Sequence, residues 1–444
     1  MKKKKLLLIP LVLSSLVCLS ACSEVSSFFS ELLDENAFSY SNVYSSHDFT
    51  VKSEPLPEGA IVAGGVAAKD AEETPNAYCF KNIPYVNESN LVTNTYKMEG
   101  VNQNEFNVNN NEDYSSSKAN NNYDLYVPKN LNKNEKQVVV LFIHGGAWIS
   151  GFKTDVNSYV HEFANKGYIT ATIKYTLLSK AMNDRSLSIF RNLDEIDACI
   201  ASIKSALEDL SFDTTKVKLA IGGASSGSHL AMLYSYSRGD KSPLPISFVI
   251  NAVGPVDIKP SNWKAFASMT GEEYQQALDN GLGYSAIEAE RAADHLSALR
   301  VSDGTSAYYW DEYQTMRIAN GMCGIPHSVA EVEASANEDK TEIANPNAAS
   351  NAMTKANGGE DQLSVTYWMN KTSNTFPIIC AYAGKDGVVG VAQYAALENA
   401  LNTHSISHEY YYFRDCGHTN IAENTTEYAK FVNKIAEWCA NAKA

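Results

Sequence analysis

From residue 137 the chain alternates two hydrophobic patterns, and this alternation most constrains its fold. Residues 137–143 (QVVVLFI) form a continuous apolar run, which predicts a strand buried on both faces of a parallel sheet. Residues 189–210 carry apolar side chains three or four positions apart, which predicts an amphipathic helix. Strands that alternate with helices indicate a doubly wound, mostly parallel α/β sheet. The predicted strands are residues 123–127, 137–143, 168–175, 217–222, 246–253, 376–383 and 409–413, and the predicted helices are residues 156–166, 189–210, 229–237, 391–401 and 426–440.

The alternation stops between residues 259 and 373. This stretch holds aromatic pairs, several Ala/Glu-rich helical pieces and Asn-rich loops. A structureless loop of that length is implausible inside a compact domain, so we interpret residues 259–373 as an inserted, mainly helical cap. The core that it interrupts is then divided between residues 76–258 and 374–444.

The first residues have the composition of an export signal. Four lysines, Lys2 to Lys5, precede an apolar stretch over residues 6–19, which is too short to span a bilayer. The stretch ends in Leu19-Ser20-Ala21-Cys22, which resembles the bacterial lipobox. The resemblance implies a signal peptide over residues 1–21, a lipid on Cys22, a tether over residues 22–75 and anchoring to the outer face of the bacterial membrane. Secretion without a lipid is the alternative.

Charge and cysteine content narrow the possible partners. The chain has 36 basic and 51 acidic residues, a formal charge of −15, which becomes −19 once the four leading lysines are removed. Nucleic-acid binding needs a basic surface, so this function is excluded. After export six cysteines would remain, an even number that permits disulfides without defining their connectivity. Three of them lie in apolar patterns that favour buried free thiols, namely Cys199, Cys380 and Cys439.

A serine motif follows the third strand of the regular alternation. Gly223-Ala224-Ser225-Ser226-Gly227 is a G-x-S-x-G pattern between a predicted strand and a predicted helix. Such a turn presents the serine hydroxyl at the end of the sheet, and its glycines allow the strand and the helix to approach closely. Ser225 is therefore the candidate nucleophile.

A serine hydroxyl needs a base, and the base needs an orienting acid. Asp386 directly follows the strand FPIICAYA, and His418 follows the strand EYYYF. Asp386 and His418 thus both come after Ser225 along the chain, and each directly follows a later predicted strand. Other candidates fit less well because they lie on the same loop as His418, in the cap, before a strand or inside a helix: Asp415, Asp361, His408 and His229.

A glycine-rich loop follows the first buried strand and reads His144-Gly145-Gly146-Ala147-Trp148. A tetrahedral intermediate needs preorganised N–H donors, and glycines let the main chain approach it. We expect these donors to be the amides of Gly146, Ala147 and Ser226. His144 precedes the glycines, so we predict a loop-organising role for it and for Gly145. Trp148 either supports the loop or only packs in the core.

Together these motifs resemble the α/β-hydrolase esterases of the HGGxW type. Beside HGGAW, GGASSGSHLA, AGKDGVV and the final GH, the segments YDLYVP and KYTLLS are similar to theirs. Hormone-sensitive-lipase-like carboxylesterases, feruloyl-esterase-like hydrolases and kynurenine formamidases are the similar branches. The chain departs from their usual pattern at Ala147, which replaces a third glycine, and at Ser226 and Ser228, because the usual elbow is S-A-G-G.

The resemblance implies a serine hydrolase that cleaves carboxylic esters and needs no metal or organic cofactor. Its partners would be a small-molecule ester and, through the lipid alone, a membrane. The motifs leave the acyl group, the alcohol and the oligomeric state open. An aryl formamidase or peptidase with the same triad is one alternative, and an inactive hydrolase scaffold that serves as a surface binding protein is another.

Overall fold

A computed structural model describes residues 53–55, 77–85, 121–129, 131–148, 151–177, 189–258, 361–384, 386 and 389–444. Within them the chain forms one mixed sheet in the order β1-β2-β3-β5-β4-β6-β7-β8-β9. The strands are β1 Ser53–Pro55, β2 Ala77–Pro84, β3 Asn122–Pro128, β4 Gln137–Ile143, β5 Ile169–Lys174, β6 Val217–Ala224, β7 Ile246–Ala252, β8 Ile378–Ala383 and β9 His408–Phe413. The helices, numbered here among the described residues, are α1 Asn157–Asn165, α2 Ile189–Asp209, α3 Ser226–Arg238, α4 Val365–Lys371, α5 Val391–Thr403 and α6 Thr425–Lys443.

The predicted parallel sheet is confirmed from β5 to β9. Each neighbouring pair in the order β5-β4-β6-β7-β8-β9 is parallel, whereas β1, β2, β3 and β5 pair antiparallel along the other edge. The chain therefore has the α/β-hydrolase fold. β1 lies inside the segment predicted to be a tether, so the sheet includes three residues that precede position 76.

The apolar run of β4 is buried on both faces because helices cover both sides of the sheet. Val139 and Leu141 face a core shared with α2, α3 and α5. Val138 and Val140 face a second core shared with α1 and α6. Side chains of a strand alternate between its faces, so a strand covered on both sides must be apolar at every position.

The end of the predicted cap packs against the hydrolase core. Leu363, Val365 and Met369 are buried in the same core as α3, and the Val365 N–H donates to the Val256 carbonyl at 2.8 Å. Residues 259–360, which make up the rest of the predicted cap, lie outside the described residues, as do the predicted signal peptide and Cys22. No helix in the described part of the chain combines the length and apolarity needed to cross a membrane.

Cys199, Cys380 and Cys439 are free thiols. Cys79, Cys199, Cys380, Cys416 and Cys439 are all buried. Burial raises the pKa of the Cys199 and Cys439 thiols, because a thiolate is poorly solvated in an apolar core. The prediction of free thiols at Cys199, Cys380 and Cys439 is therefore confirmed.

Candidate active site

Ser225 lies at a sharp turn between β6 and α3. Its φ is 54° and its ψ is −123°, a conformation that a residue with a side chain adopts only where the surroundings enforce it. The Ser225 N–H donates to the Ala252 carbonyl at 2.8 Å, and the Ser225 carbonyl accepts from the His229 N–H at 3.2 Å. A Cβ atom at Gly227 would collide with the Ile143 carbonyl, which explains the glycine after the turn.

On either side of this turn, the boundaries of β6 and α3 differ from those predicted. β6 continues to Ala224, two residues beyond its predicted end. α3 begins at Ser226, whereas its predicted start was His229. Serine and glycine are weak helix formers, so the hydrophobic pattern alone placed the start too late. The hydrogen bonds on both sides of Ser225 start the helix regardless of this weak propensity.

Ser228 joins the elbow to the neighbouring strand. Its hydroxyl accepts from the Ala252 N–H at 2.9 Å, and it lies within hydrogen-bond distance of the Gly223 and Ala252 carbonyls. Gly254 makes room for it, because a Cβ atom there would collide with the Ser228 Cβ. The serine at this position, where related elbows carry glycine, thus ties β6 to β7 directly beneath the nucleophile.

Ser228→Ala is expected to lower the free energy of unfolding by about 1–3 kcal/mol, because the buried Ala252 N–H loses its acceptor. Ser237→Ala on the same helix is the matched control. The Ser237 hydroxyl donates to the Leu233 carbonyl, and helical carbonyls keep their main-chain partner without it. Urea unfolding monitored by circular dichroism measures the free energy of unfolding of both variants. Equal losses in the two variants would contradict the role given to Ser228.

Ser225, His418 and Asp386 form one hydrogen-bonded line. His418 Nε2 lies 2.8 Å from Ser225 Oγ, and His418 Nδ1 lies 2.7 Å from Asp386 Oδ2. A carboxylate only accepts, so the imidazole proton is on Nδ1 and the Nε2 lone pair faces the serine hydroxyl. Loops after β6, β8 and β9 carry the three groups, which is why 161 and 32 residues can separate them along the chain.

The Asp386 carboxylate is also held on the side that faces away from His418. Asp386 Oδ1 accepts the Val389 N–H at 2.8 Å, and the Asp386 side chain is fully buried. The Tyr394 hydroxyl donates to the Ala383 carbonyl at 2.7 Å, which fixes the end of β8 just before the acid. Neither Val389 nor Tyr394 is recognisable from the sequence, because their contacts with Asp386 and Ala383 form only in the folded chain.

The glycine-rich loop passes directly beside Ser225. A Cβ atom at Gly145 would lie 3.1 Å from the Ser225 Cβ and 2.9 Å from the Ala224 carbonyl oxygen. Gly146, Ala147 and Trp148 then have consecutive positive φ angles of 113°, 53° and 63°. Two of these three residues are not glycine, so the loop is held in a backbone conformation that it would not adopt alone. Ser226, whose amide is the third expected donor, is the first residue of α3 and 1% exposed.

His144 is fully buried beneath this loop. Its Nδ1 lies 2.7 Å from the Gly145 carbonyl oxygen and therefore carries the ring proton. The ring stacks on Tyr175 with 4.3 Å between centroids, and the Tyr175 hydroxyl donates to the His144 carbonyl at 3.2 Å. Desolvation lowers the pKa of His144 to about 4, so at neutral pH the ring is uncharged. These contacts fit a supporting role for His144. Tyr175 belongs to the segment KYTLLS, for which the sequence predicted no role.

Trp148 and His229 pack together at the other end of the loop. Trp148 is 4% exposed and lies in the core, with its ring edge-on to His229 at 5.3 Å between centroids. His229 Nε2 donates to the Leu363 carbonyl at 2.7 Å, and desolvation lowers the pKa of His229 to about 4. His229 is thus a buried, hydrogen-bonded histidine. Trp148, the last residue of the loop, packs in the core.

These two buried histidines make stability depend on pH. The pKa of each is near 4 when folded against 6.5 as the ordinary value, so the unfolded chain binds more protons between those values. Each uncharged histidine therefore makes its full contribution to the free energy of unfolding above pH 6.5. This contribution is lost as the pH falls toward 4. From pH 7 to pH 5 we expect a loss of about 2 kcal/mol for each histidine.

Urea unfolding of wild type and His229→Gln at pH 7 and pH 5 measures this dependence. The variant should be less stable at pH 7 but should lose about 2 kcal/mol less on acidification. His404→Gln, which replaces a partly exposed histidine bonded to Asn370, is the control. An unchanged loss in His229→Gln would show that this histidine is not what the pH acts on.

The nucleophile turn, the sheet and the Ser225–His418–Asp386 line together define the class of α/β hydrolases. Within this class, residues 123–305 match the model of the BD-FAE family, an esterase-like family of α/β hydrolases. The match includes the glycine-rich loop and Ser225 but ends before Asp386 and His418. Their place beside the serine therefore rests on the geometry of the site.

Single relatives are distant. Part of the non-reducing polyketide synthase adrD of Penicillium roqueforti is 28% identical over 148 residues, which are 32% of this chain and 6% of that protein. The chain thus spans a small fraction of the curated relative that it matches. Esterase B from Lactobacillus Rhamnosis superposes with a TM-score of 0.48 at 13% identity, covering 85% of this chain and 90% of that one.

Two further solved structures also superpose on this chain at low sequence identity. A truncated carbohydrate esterase from gut microbiota has a TM-score of 0.46 at 14% identity and covers 83% of this chain and 99% of its own. A bacterial heroin esterase has a TM-score of 0.43 at 16% identity, with 72% and 79% covered.

Proposed function

We propose that the chain is a serine hydrolase that cleaves carboxylic esters. The observation that carries this proposal is the line from Ser225 Oγ through His418 to Asp386, with both hydrogen bonds below 3 Å. A hydroxyl so placed can pass its proton to the imidazole while it attacks a carbonyl carbon. A purely structural cluster would have no need of a serine held at a φ of 54°.

In the proposed first half-reaction Ser225 Oγ bonds to the ester carbonyl carbon and its proton moves to His418 Nε2. The resulting tetrahedral intermediate collapses, the bond to the alcohol oxygen breaks, and His418 returns the proton to the departing alcohol. Asp386 keeps the Nδ1 proton in place and stabilises the imidazolium. In the second half-reaction water, activated by His418, attacks the acyl-enzyme and releases the acid and Ser225.

The negative charge that forms on the carbonyl oxygen needs donors close to Ser225. We assign this role to the amides of Gly146, Ala147 and Ser226. The contact of Gly145 with the nucleophile supports the assignment, since it brings the loop to the side of the elbow where the carbonyl oxygen would lie.

The choice of esters rests on the match to an esterase-like family over residues 123–305. It is tested by incubating the purified chain with a fluorophosphonate probe and then with p-nitrophenyl esters of increasing acyl length, a feruloyl ester and an aryl formamide. We expect labelling of one serine at neutral pH and fastest turnover on an ester. Absence of labelling would contradict the hydrolase proposal, and preference for the formamide would contradict the ester.

We also propose that the protein is exported and anchored to the outer face of the bacterial membrane by a lipid on Cys22. Support comes from Lys2 to Lys5, the apolar stretch over residues 6–19 and the small residues before Cys22. The mature charge of −19 makes electrostatic attachment to an anionic membrane unfavourable, so the lipid would supply the attachment.

Cys22→Ala is expected to abolish incorporation of radiolabelled palmitate and to move the protein out of the membrane fraction. Because Cys18 lies within the predicted signal, Cys18→Ala is the control that leaves lipidation intact. Wild-type protein that carries no label in a bacterial host with lipoprotein-processing enzymes would contradict this anchor.

A further inference from the structure

A buried ammonium group lies just beyond the glycine-rich loop. Lys153 is 8% exposed, and its Nζ lies 2.7 Å from Asp124 Oδ1, 2.6 Å from Asn82 Oδ1 and 2.6 Å from Asn122 Oδ1. A buried charge is costly unless it is paired and hydrogen-bonded. Here each of the three ammonium protons has an oxygen acceptor, so the cluster is a complete binding site for the lysine side chain. We propose that Lys153 is a positioning residue for the glycine-rich loop, His144–Trp148. It holds this loop in the geometry that places the amides of the oxyanion hole. This inference rests on the proposed function.

The acceptors are arranged in advance for this lysine. The pairing of β2 with β3 shifts register between Phe80 and Ile83, which marks a bulge. Within it Asn82 has a φ of 55°, and its N–H donates to Asp124 Oδ1 at 2.7 Å. An unfavourable backbone conformation in a strand thus directs Asn82 toward the same carboxylate that pairs with Lys153.

The lysine is connected to the loop through Gly151. This glycine has a φ of 101°, and a Cβ atom there would lie 2.6 Å from His144 Nδ1 and collide with the Gly145 carbonyl. Gly151 therefore lies directly against the residues that begin the loop. Lys153 follows two residues later and attaches this returning segment to β2 and β3. β4 and the contact with Ser225 hold one end of the loop, and Lys153 holds the other.

The loop needs two fixed ends because its backbone is strained. Ala147 and Trp148 have φ angles of 53° and 63°, which persist only when the surroundings enforce them. Without the anchor we expect the Gly146–Ala147 amides to move away from the position where the oxyanion forms. A misplacement of about 1 Å in a catalytic group can cost about 10²-fold in rate.

The test compares two double variants, each of which removes a whole ion pair, so that neither leaves a lone buried charge. Lys153→Met/Asp124→Asn removes the anchor, and asparagine keeps an oxygen for the Asn82 N–H. Arg238→Met/Asp194→Asn removes the pair that joins α3 to α2. Arg238 is the last residue of α3, which places it about 18 Å from the elbow at 1.5 Å per helical residue.

The full-length proteins are compared by the rate of inactivation with a small fluorophosphonate and by kcat and KM on p-nitrophenyl acetate. For the Lys153 pair we expect the rate of inactivation and kcat to fall about 10- to 100-fold, with KM within about threefold of wild type. The pH profile of kcat/KM should stay the same, because His418 is untouched. The Arg238 pair should react at nearly the wild-type rate. A Lys153 pair that is folded and reacts within about twofold of wild type, or an equal loss in both variants, overturns the inference.

Hydrogen exchange of the peptide over residues 144–153 keeps this inference separate from the hydrolase proposal. Faster exchange in the Lys153 pair than in the Arg238 pair supports the anchor, and equal exchange overturns it. Wild-type protein that does not react with the fluorophosphonate overturns the hydrolase proposal and the catalytic role of the anchor with it, whatever the exchange of the loop.

Discussion

Replacing Ser225 by alanine is expected to lower kcat on the best ester by about 10⁴- to 10⁶-fold and to abolish fluorophosphonate labelling. The reason is that the only hydroxyl bonded to His418 Nε2 among the described residues is that of Ser225, at 2.8 Å. Alanine at this position keeps the backbone contacts to Ala252 and His229, so the elbow should retain its shape. The free energy of unfolding should therefore change little, and the loss would be one of chemistry.

Ser226→Ala is the matched control for this experiment. It removes the neighbouring hydroxyl but keeps the main-chain amide that we assign to the oxyanion hole. We expect it to remain labelled, and mass spectrometry of the labelled peptide locates the probe. Retention of labelling in Ser225→Ala, or its loss in Ser226→Ala alone, would show that the nucleophile has been assigned to the wrong residue.

Asp386→Asn is the second large effect, with an expected fall in kcat/KM of about 10³- to 10⁴-fold. Asp386 accepts from two N–H groups, through Oδ2 from His418 and through Oδ1 from Val389. An asparagine amide has only one oxygen, so either its NH₂ group faces the Val389 N–H or it faces His418 Nδ1. In the second case the imidazole must take the other tautomer, which leaves a proton on Nε2 where the base needs a lone pair.

The control for this variant is Asp415→Asn. Asp415 lies three residues before His418 and was the competing acid on the same loop, but the structure places it at the surface. We expect it to keep kcat/KM within about threefold of wild type, as exposed charges contribute little. Full activity of Asp386→Asn together with an inactive Asp415→Asn would transfer the role of the acid from Asp386 to Asp415.

Much of the sheet could be predicted because a strand covered on both faces leaves a distinct apolar run. The boundaries of β4 agree with the prediction at both ends, and those of β5, β7, β8 and β9 agree within about two residues. β1, β2 and the start of α3 were not predicted. Three residues of β1 carry too little pattern, and the first turn of α3 consists of serine and glycine, which the elbow and not propensity makes helical.

The candidate site was partly predictable because its motifs follow the chain order that is typical of α/β hydrolases. Glycines beside a serine, and an aspartate and a histidine after later strands, are recognisable in one dimension. Lys153, Tyr175 and Ser228 were not recognisable in this way. Each acts through a partner far along the chain, such as Asp124 for Lys153, and no spacing rule connects a lysine after β4 with an aspartate on β3.

The sequence alone therefore determined the layered α/β architecture and the residues that can supply nucleophile, acid and base. Hydrophobic periodicity and side-chain chemistry are local properties, which one chain carries without reference to its fold. Only the tertiary structure decided which histidine contacts Ser225, which histidines lose their charge by burial and which oxygens surround Lys153. These properties depend on distance and desolvation, and both arise only when segments remote in sequence pack together.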